Sequence, residues 1–222
     1  MGLLDRLSRW LTPEPIDTLE GLERFLDSRA AFMAQKCVVE YCRARSGVLW
    51  QKLFKEQAFL AALHESRWTT YSIAYCDLAE MLEGLLRDRH SGPPGALSQG
   101  LLMMAERTFA RHGLPDGAPE DFWEKALQRI EHRLAAARLH EPKPVREIPK
   151  TDLEEVFAHL PIHASLRGHD YQLVQNHLRT NIVRIYEDFL EAADLDRLAE
   201  AVASEGANGA PLETGQAPVD HL

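Results

Sequence analysis

Apolar residues recur every three to four positions over most of residues 17–204, and no stretch alternates apolar with polar as a half-buried strand does. The pattern predicts an all-α chain: a multi-helix bundle of seven to nine helices with a disordered C-terminal tail. Leu3, Leu4, Leu7, Trp10 and Leu11 share one face of a short amphipathic helix over residues 2–11, which Thr12-Pro13-Glu14-Pro15 ends. Asp17, three residues before Glu20, forms a capping box and opens a long helix to about Arg45. After a break at Ser46-Gly47, Val48 to about His64 continues as helix, with Leu49, Leu53 and Leu60 on its stripe. Residues 66–89 follow, with Trp68, Tyr71, Tyr75, Leu78, Ala79, Leu82, Leu85 and Leu86 inward. Further helices are expected from Leu101 to Arg111, from Pro119 to about His140, and from Thr151 to about His159. The last two run from Asp170 to about Ala193 and from Asp194 to about Ser204.

Proline and glycine divide the chain. EPKPVREIPK, residues 141–150, holds three prolines and reads as an extended linker. The expected organisation is an amphipathic arm (1–15), a main bundle (16–140), the linker, a C-terminal helical unit packed on the bundle (151–204) and a disordered tail (205–222). The C-terminal unit is too small to bury much core by itself.

Charge sharpens this picture. The chain has 34 acidic and 25 basic side chains, a net charge of −9. Residues 151–222 account for the whole excess, with 13 acids against four arginines and no lysine; residues 1–150 balance at 21 of each. Neither part offers the net positive surface that a phosphate backbone attracts, so no nucleic-acid partner is expected. Three cysteines without a CxxC pair fit a reducing, cytoplasmic setting in which they act as small apolar residues. Residues 2–11 allow a weak membrane-surface contact, or docking on a partner or on the protein's own bundle.

Recognised catalytic and phosphate-binding motifs are absent. There is no GxxxxGK[ST], GxGxxG, GxSxG or HExxH, and no Glu-x-x-His pair of the kind that builds a di-iron bundle. The sequence therefore gives no catalytic residue, metal ligand or cofactor. Extrapolated at helical pitch from Leu22, Glu40 falls inside the apolar stripe, where Lys36 and Arg43 could pair it. His64 falls one turn beyond Leu60 and makes a second buried-polar candidate. Asp77 and Glu80 point away from the Trp68–Tyr75–Leu82 face and read as solvated. On the helix after Asp170, a polar ladder of His177, Asn181, Arg184 and Asp188 flanks the apolar stripe, and the preceding loop adds His163, Arg167 and His169. Arginine and histidine donors so gathered suit an anion or a partner's carboxylate. A zinc site from His163, His169 and His177 has no recognised ligand spacing.

The functional expectation is a non-catalytic adaptor, regulatory or assembly protein. Its partner would be another protein or a small anionic ligand, bound through His163, Arg167, His169, His177, Asn181 and Arg184. The alternative is a helical-bundle enzyme or metal-binding protein using Glu40 and His64 or the 163–184 region.

Overall fold

The computed structural model describes residues 15–209, which form nine helices and no strand when the unbroken run from Leu19 to Ser46 is counted once. That run comprises α1 (Leu19–Ala34), a π-helical turn (Gln35–Glu40) and α2 (Tyr41–Ser46). A 3-10 turn (Gly47–Leu49) and the one-turn α3 (Trp50–Leu53) lead to α4 (Gln57–Leu86). Then come α5 (Ala96–His112), α6 (Phe122–Ala137), a 3-10 segment (Val145–Lys150) and α7 (Leu153–His159). The short α8 (Ala164–Arg167), α9 (Tyr171–Ala192) and α10 (Leu195–Gly209) complete the fold.

The bundle is organised around α4. Every residue from Thr69 to Glu83 is buried. Packing covers that stretch on its apolar and its polar side alike, taking Ser72, Asp77, Glu80 and Glu83 out of water with the apolar residues. Helices α1, α6 and α7 pack directly on it, and the 3-10 segment lies between it and α9. Helix α10 lies along α5, and Gly100 and Gly206 let these two backbones approach: a Cβ on Gly206 would come within 2.5 Å of the Gly100 amide nitrogen.

The ends of the fold are tied together. The Ile16 amide donates to Ala192 O at 2.9 Å, the Asp194 amide donates to Ile16 O at 3.0 Å, and Arg197 pairs with Asp17 at 3.0 Å. The cap of α1 is therefore Thr18, whose hydroxyl accepts from the Gly21 amide at 3.1 Å, and not Asp17. The expected box at Thr151–Glu154 also gives way: Asp152 precedes α7 without capping it, because its carboxylate is drawn to arginines on α6. Asp194 does cap α10, accepting from the Arg197 amide at 3.2 Å.

Other boundaries move for physical reasons. The π turn holds an extra residue, so positions beyond Gln35 fall behind the pitch extrapolated from Leu22. Glu40 consequently faces solvent, paired with Lys36 at 2.9 Å, rather than lying in the stripe. The continuous helix expected from Val48 to His64 is broken at residues 54–56. The restart at Gln57 resets the phase, so Phe59 and Leu63 enter the core while Leu49 and Leu60 are exposed. No break follows His64; one helix runs through to Leu86. Within the proline-rich stretch, residues 145–150 are not extended: they form a 3-10 segment with Ile148 and Pro149 buried. Helix α10 continues five residues past Ser204, closed against α5 through Gly206. The arm expected over residues 2–11 and the part of the tail after Gly209 lie outside the described residues.

Candidate functional site

Burying α4 on all sides brings its polar residues inside with it. Asp77 and Glu80 are 1% and 5% exposed, so they are not a solvated face. Carboxylates removed from water must be paired or protonated, and α6 supplies the partner. Arg133 Nη1 lies 2.7 Å from Glu80 and 3.3 Å from Asp77, and its Nη2 donates to Asp152. Lys143, from the segment after α6, reaches the other oxygen of Glu80 at 2.7 Å. One turn earlier on α6, Arg129 pairs with Glu155 of α7 at 2.8 Å. The network joins three elements: α4 gives two carboxylates, α6 two guanidinium groups, and the start of α7 two more carboxylates.

Asp77 is its least satisfied member, with Oδ2 buried and lacking a hydrogen bond. Burial pushes its carboxyl up to about 7, against the opposing pull of Arg133; Asp152 and Glu80 push the same way as burial. A carboxyl raised in the fold holds its proton more tightly there than in the unfolded chain. Its contribution to stability is thus present at low pH and fades as pH rises toward 7. Between about pH 5 and pH 8 this group alone should cost the wild type roughly 2–3 kcal/mol relative to Asp77→Asn. Urea titrations of both proteins across that range check the difference in slope; parallel curves would refute it.

Beside this network lies a pocket of about 270 Å³ between α4, the 115–119 loop, α6 and α7. Trp68 and Phe122 form its apolar wall, and His64, Thr69, Lys125, Arg129, Glu155 and His159 supply its polar groups. Trp68 is held rigidly: its ring meets those of Tyr71, His112 and Trp123 edge-on at 5.3–5.7 Å. Two nitrogens of the lining residues are buried without a hydrogen-bond partner among the described residues, His64 Nε2 and Arg129 Nη1. The latter has only an ion-pair contact to Asp152 at 3.5 Å. A second cavity, of about 200 Å³, borders Glu80, Glu83, Arg87 and Arg133, but these four side chains are already paired with one another or with backbone carbonyls.

The residues selected from the sequence are distributed differently. His64 lines the pocket and Glu40 stands apart on the surface. The His163–Arg184 group does not close on one point. Arg167 folds inward onto the carbonyls of Phe157, Ala158 and Leu160, capping α7, with its guanidinium 5.1 Å over the Phe157 ring. His163 caps α8 through Ser165. His169 and His177 are exposed, and Asn181 donates to the His177 carbonyl at 2.8 Å. Arg184 borders a separate, open depression with Arg146, Arg179 and Glu187. Asp170 does not cap α9 with its side chain. Its carboxylate is buried and accepts from the Tyr41 hydroxyl at 2.8 Å, and Arg45 pairs with the same oxygen at 2.8 Å.

Sequence reading passed over Arg129, Arg133, Asp152 and Glu155. It also missed a surface triad in which Asp27 Oδ1 accepts from Tyr71 at 2.7 Å and lies 2.8 Å from His112 Nε2, tying α1, α4 and α5. Among the described residues, no three His, Cys, Asp or Glu side chains are gathered so as to hold a metal ion. Cys37, Cys42 and Cys76 are free and buried, and burial pushes their thiols far from the reactive range. Comparison of the chain with protein-family models, characterised proteins and solved structures finds no match.

Proposed function

We propose that the protein is a non-catalytic binding protein whose ligand is a small carboxylate with an apolar or aromatic body, held in the α4–α6–α7 pocket. One observation carries this reading: His64 Nε2 and Arg129 Nη1 are buried on residues lining the pocket, and neither has a hydrogen-bond partner among the described residues. An unpaired buried donor is costly, whereas a carboxylate accepts from guanidinium and imidazole N–H groups with charge assistance. Trp68 and Phe122 suit the remainder of such a ligand, since pockets of this kind are mainly apolar with a few placed polar groups. Lys125, paired with Asp121 at 2.7 Å, adds a positive charge at the rim.

Benzoate is a suitable probe. At about ten times its dissociation constant it should raise the melting temperature by about 3–6 °C and perturb tryptophan fluorescence. His64→Leu separates the two roles that an unpaired nitrogen can have. The variant should lose the benzoate response while its own stability holds or rises, because an unsatisfied buried polar atom has been removed. A benzoate response that is absent in the wild type, or unchanged in His64→Leu, would reject the proposal.

No helix among the described residues is long and apolar enough to cross a membrane. A cytoplasmic location, with protein partners reached through the exposed His169–His177 flank, belongs to the same proposal. It is supported by the arginines and histidines of that acidic segment.

A further inference from the structure

The turn between α2 and α4 projects apolar side chains away from the core. Gly47, at φ 53°, reverses the chain after α2, and the next two residues, Val48 and Leu49, are 95% and 65% exposed. Trp50 follows, half-buried under the Arg43 guanidinium at 4.5 Å. An aromatic column of Trp50, Phe54 and Phe59 then connects the tip to the core, with ring centroids 6.1 and 5.2 Å apart. The tip is thus braced from below while its apex packs on nothing. Arg45 donates to the Leu166 carbonyl at 2.9 Å and so brings a third exposed apolar side chain, that of Leu166, 60% accessible, alongside the same end of the bundle.

The charge of this end is opposite to that of the chain. Residues 43–56 carry Arg43, Arg45, Lys52 and Lys55 against one acid, Glu56, a net +3 in a protein of −9. Arg45 is paired with Asp170, whereas Lys52 and Lys55 are exposed and have no ion-pair partner among the described residues. We infer that this tip is a membrane-contact site, inserting Val48 and Leu49 between the headgroups of an anionic bilayer while Arg43, Lys52 and Lys55 lie against them.

Two observations favour lipid over a protein partner. A valine and two leucines on a convex apex offer a few hundred Å² at most, well short of the roughly 800 Å² per side that a stable protein interface buries. A bilayer needs no such complementary surface, since apolar insertion and attraction of basic side chains to anionic headgroups together suffice for peripheral binding. The column of rings holds the apolar residues outward in advance, so little ordering is needed on contact. The inference does not depend on the pocket ligand, which binds elsewhere on α4.

The test is co-sedimentation of the full chain with vesicles of phosphatidylcholine containing about 30% phosphatidylglycerol, against pure phosphatidylcholine. Wild type should sediment with the anionic vesicles only. Val48→Asp/Leu49→Asp should reduce partition onto the vesicles by about tenfold or more, and Lys52→Glu/Lys55→Glu by about 25-fold or more, each basic residue being worth about fivefold. All four positions are exposed, so both variants should keep the wild-type melting temperature, which is measured in parallel. A chain lacking residues 1–14 should still bind. The inference is overturned if wild type does not sediment with anionic vesicles, if the tip variants bind like wild type, or if binding disappears with residues 1–14. It is equally overturned if the tip variants instead abolish self-association of a protein that ignores vesicles.

Discussion

Arg133→Met should destabilise the protein by about 3–5 kcal/mol, the largest effect expected of any single side chain in this fold. The arginine is 8% exposed and is the shared partner of Asp77, Glu80 and Asp152. Methionine fills much of the same volume, so the loss is not chiefly one of packing. What remains is Asp77 buried without a cation, while Glu80 keeps only Lys143 at 2.7 Å and Asp152 only Arg129 at 3.5 Å. Burying charge without a partner is what makes breaking such a network expensive, although the intact network need not be more stable than an apolar core. The variant should therefore be rescued by neutralising its former partners: Arg133→Met/Asp77→Asn/Glu80→Gln should regain most of the loss. Urea unfolding followed by circular dichroism measures both. A triple variant no more stable than the single one would show that Arg133 acts through shape rather than charge.

Gly206→Val should be nearly as damaging, with a loss of about 3 kcal/mol or more and a local signature. A glycine inside an exposed helix ordinarily gains from a side chain, since glycine costs roughly 0.5–1 kcal/mol relative to alanine there. At Gly206 the sign reverses: a side-chain carbon would collide with the Ala96 carbonyl oxygen and the Gly100 amide nitrogen, both backbone atoms that cannot step aside. Helix α10 must then move off α5, uncovering Leu198 and Val202 and separating Glu205 from Arg107. Limited proteolysis should cut α10 first while the α4 core persists. Gly168→Ala is the control. It meets only the Ala164 carbonyl oxygen at 3.6 Å and should change stability by less than about 0.5 kcal/mol.

The helices themselves were legible because 3.6-residue periodicity is a local signal, and the apolar faces of α9 and α10 follow it closely. The failures arose where a single residue changes phase. At Glu40 the π turn displaces every later position, and nothing in QKCVVE marks it as different from ordinary helix. At Phe54–Glu56 the helix stops without proline or glycine. Asp77 and Glu80 were misplaced for another reason. Their helix has an apolar side and a polar side when drawn alone, but packing covers both, and the hidden arginine partner lies more than 50 residues away on α6. The near-absence of charge over residues 69–83 apart from Asp77, Glu80 and Glu83 was the available sign that α4 is central. The site was less legible than the fold. His64 is singled out by a Leu49–Leu53–Leu60 stripe that the break at residues 54–56 dissolves. Arg129 looked like any solvent-facing arginine, and only the docking of α7 encloses it.

The clasp at Ile16 governs when this protein can finish folding. Its two backbone hydrogen bonds and the Asp17–Arg197 pair join positions about 180 residues apart in the chain. During synthesis the first helix emerges early, yet the residues that anchor its leading end are made only after almost everything between them. Contacts so distant in sequence carry the full loop-closure entropy and form late. Until Asp194 leaves the ribosome, Ile16 and the apolar flank of α1 near Phe25, whose ring packs tilted against Phe189 at 5.0 Å, stay uncovered. A truncation before Asp194 would leave the first helix without its latch, even though no residue of that helix had been touched.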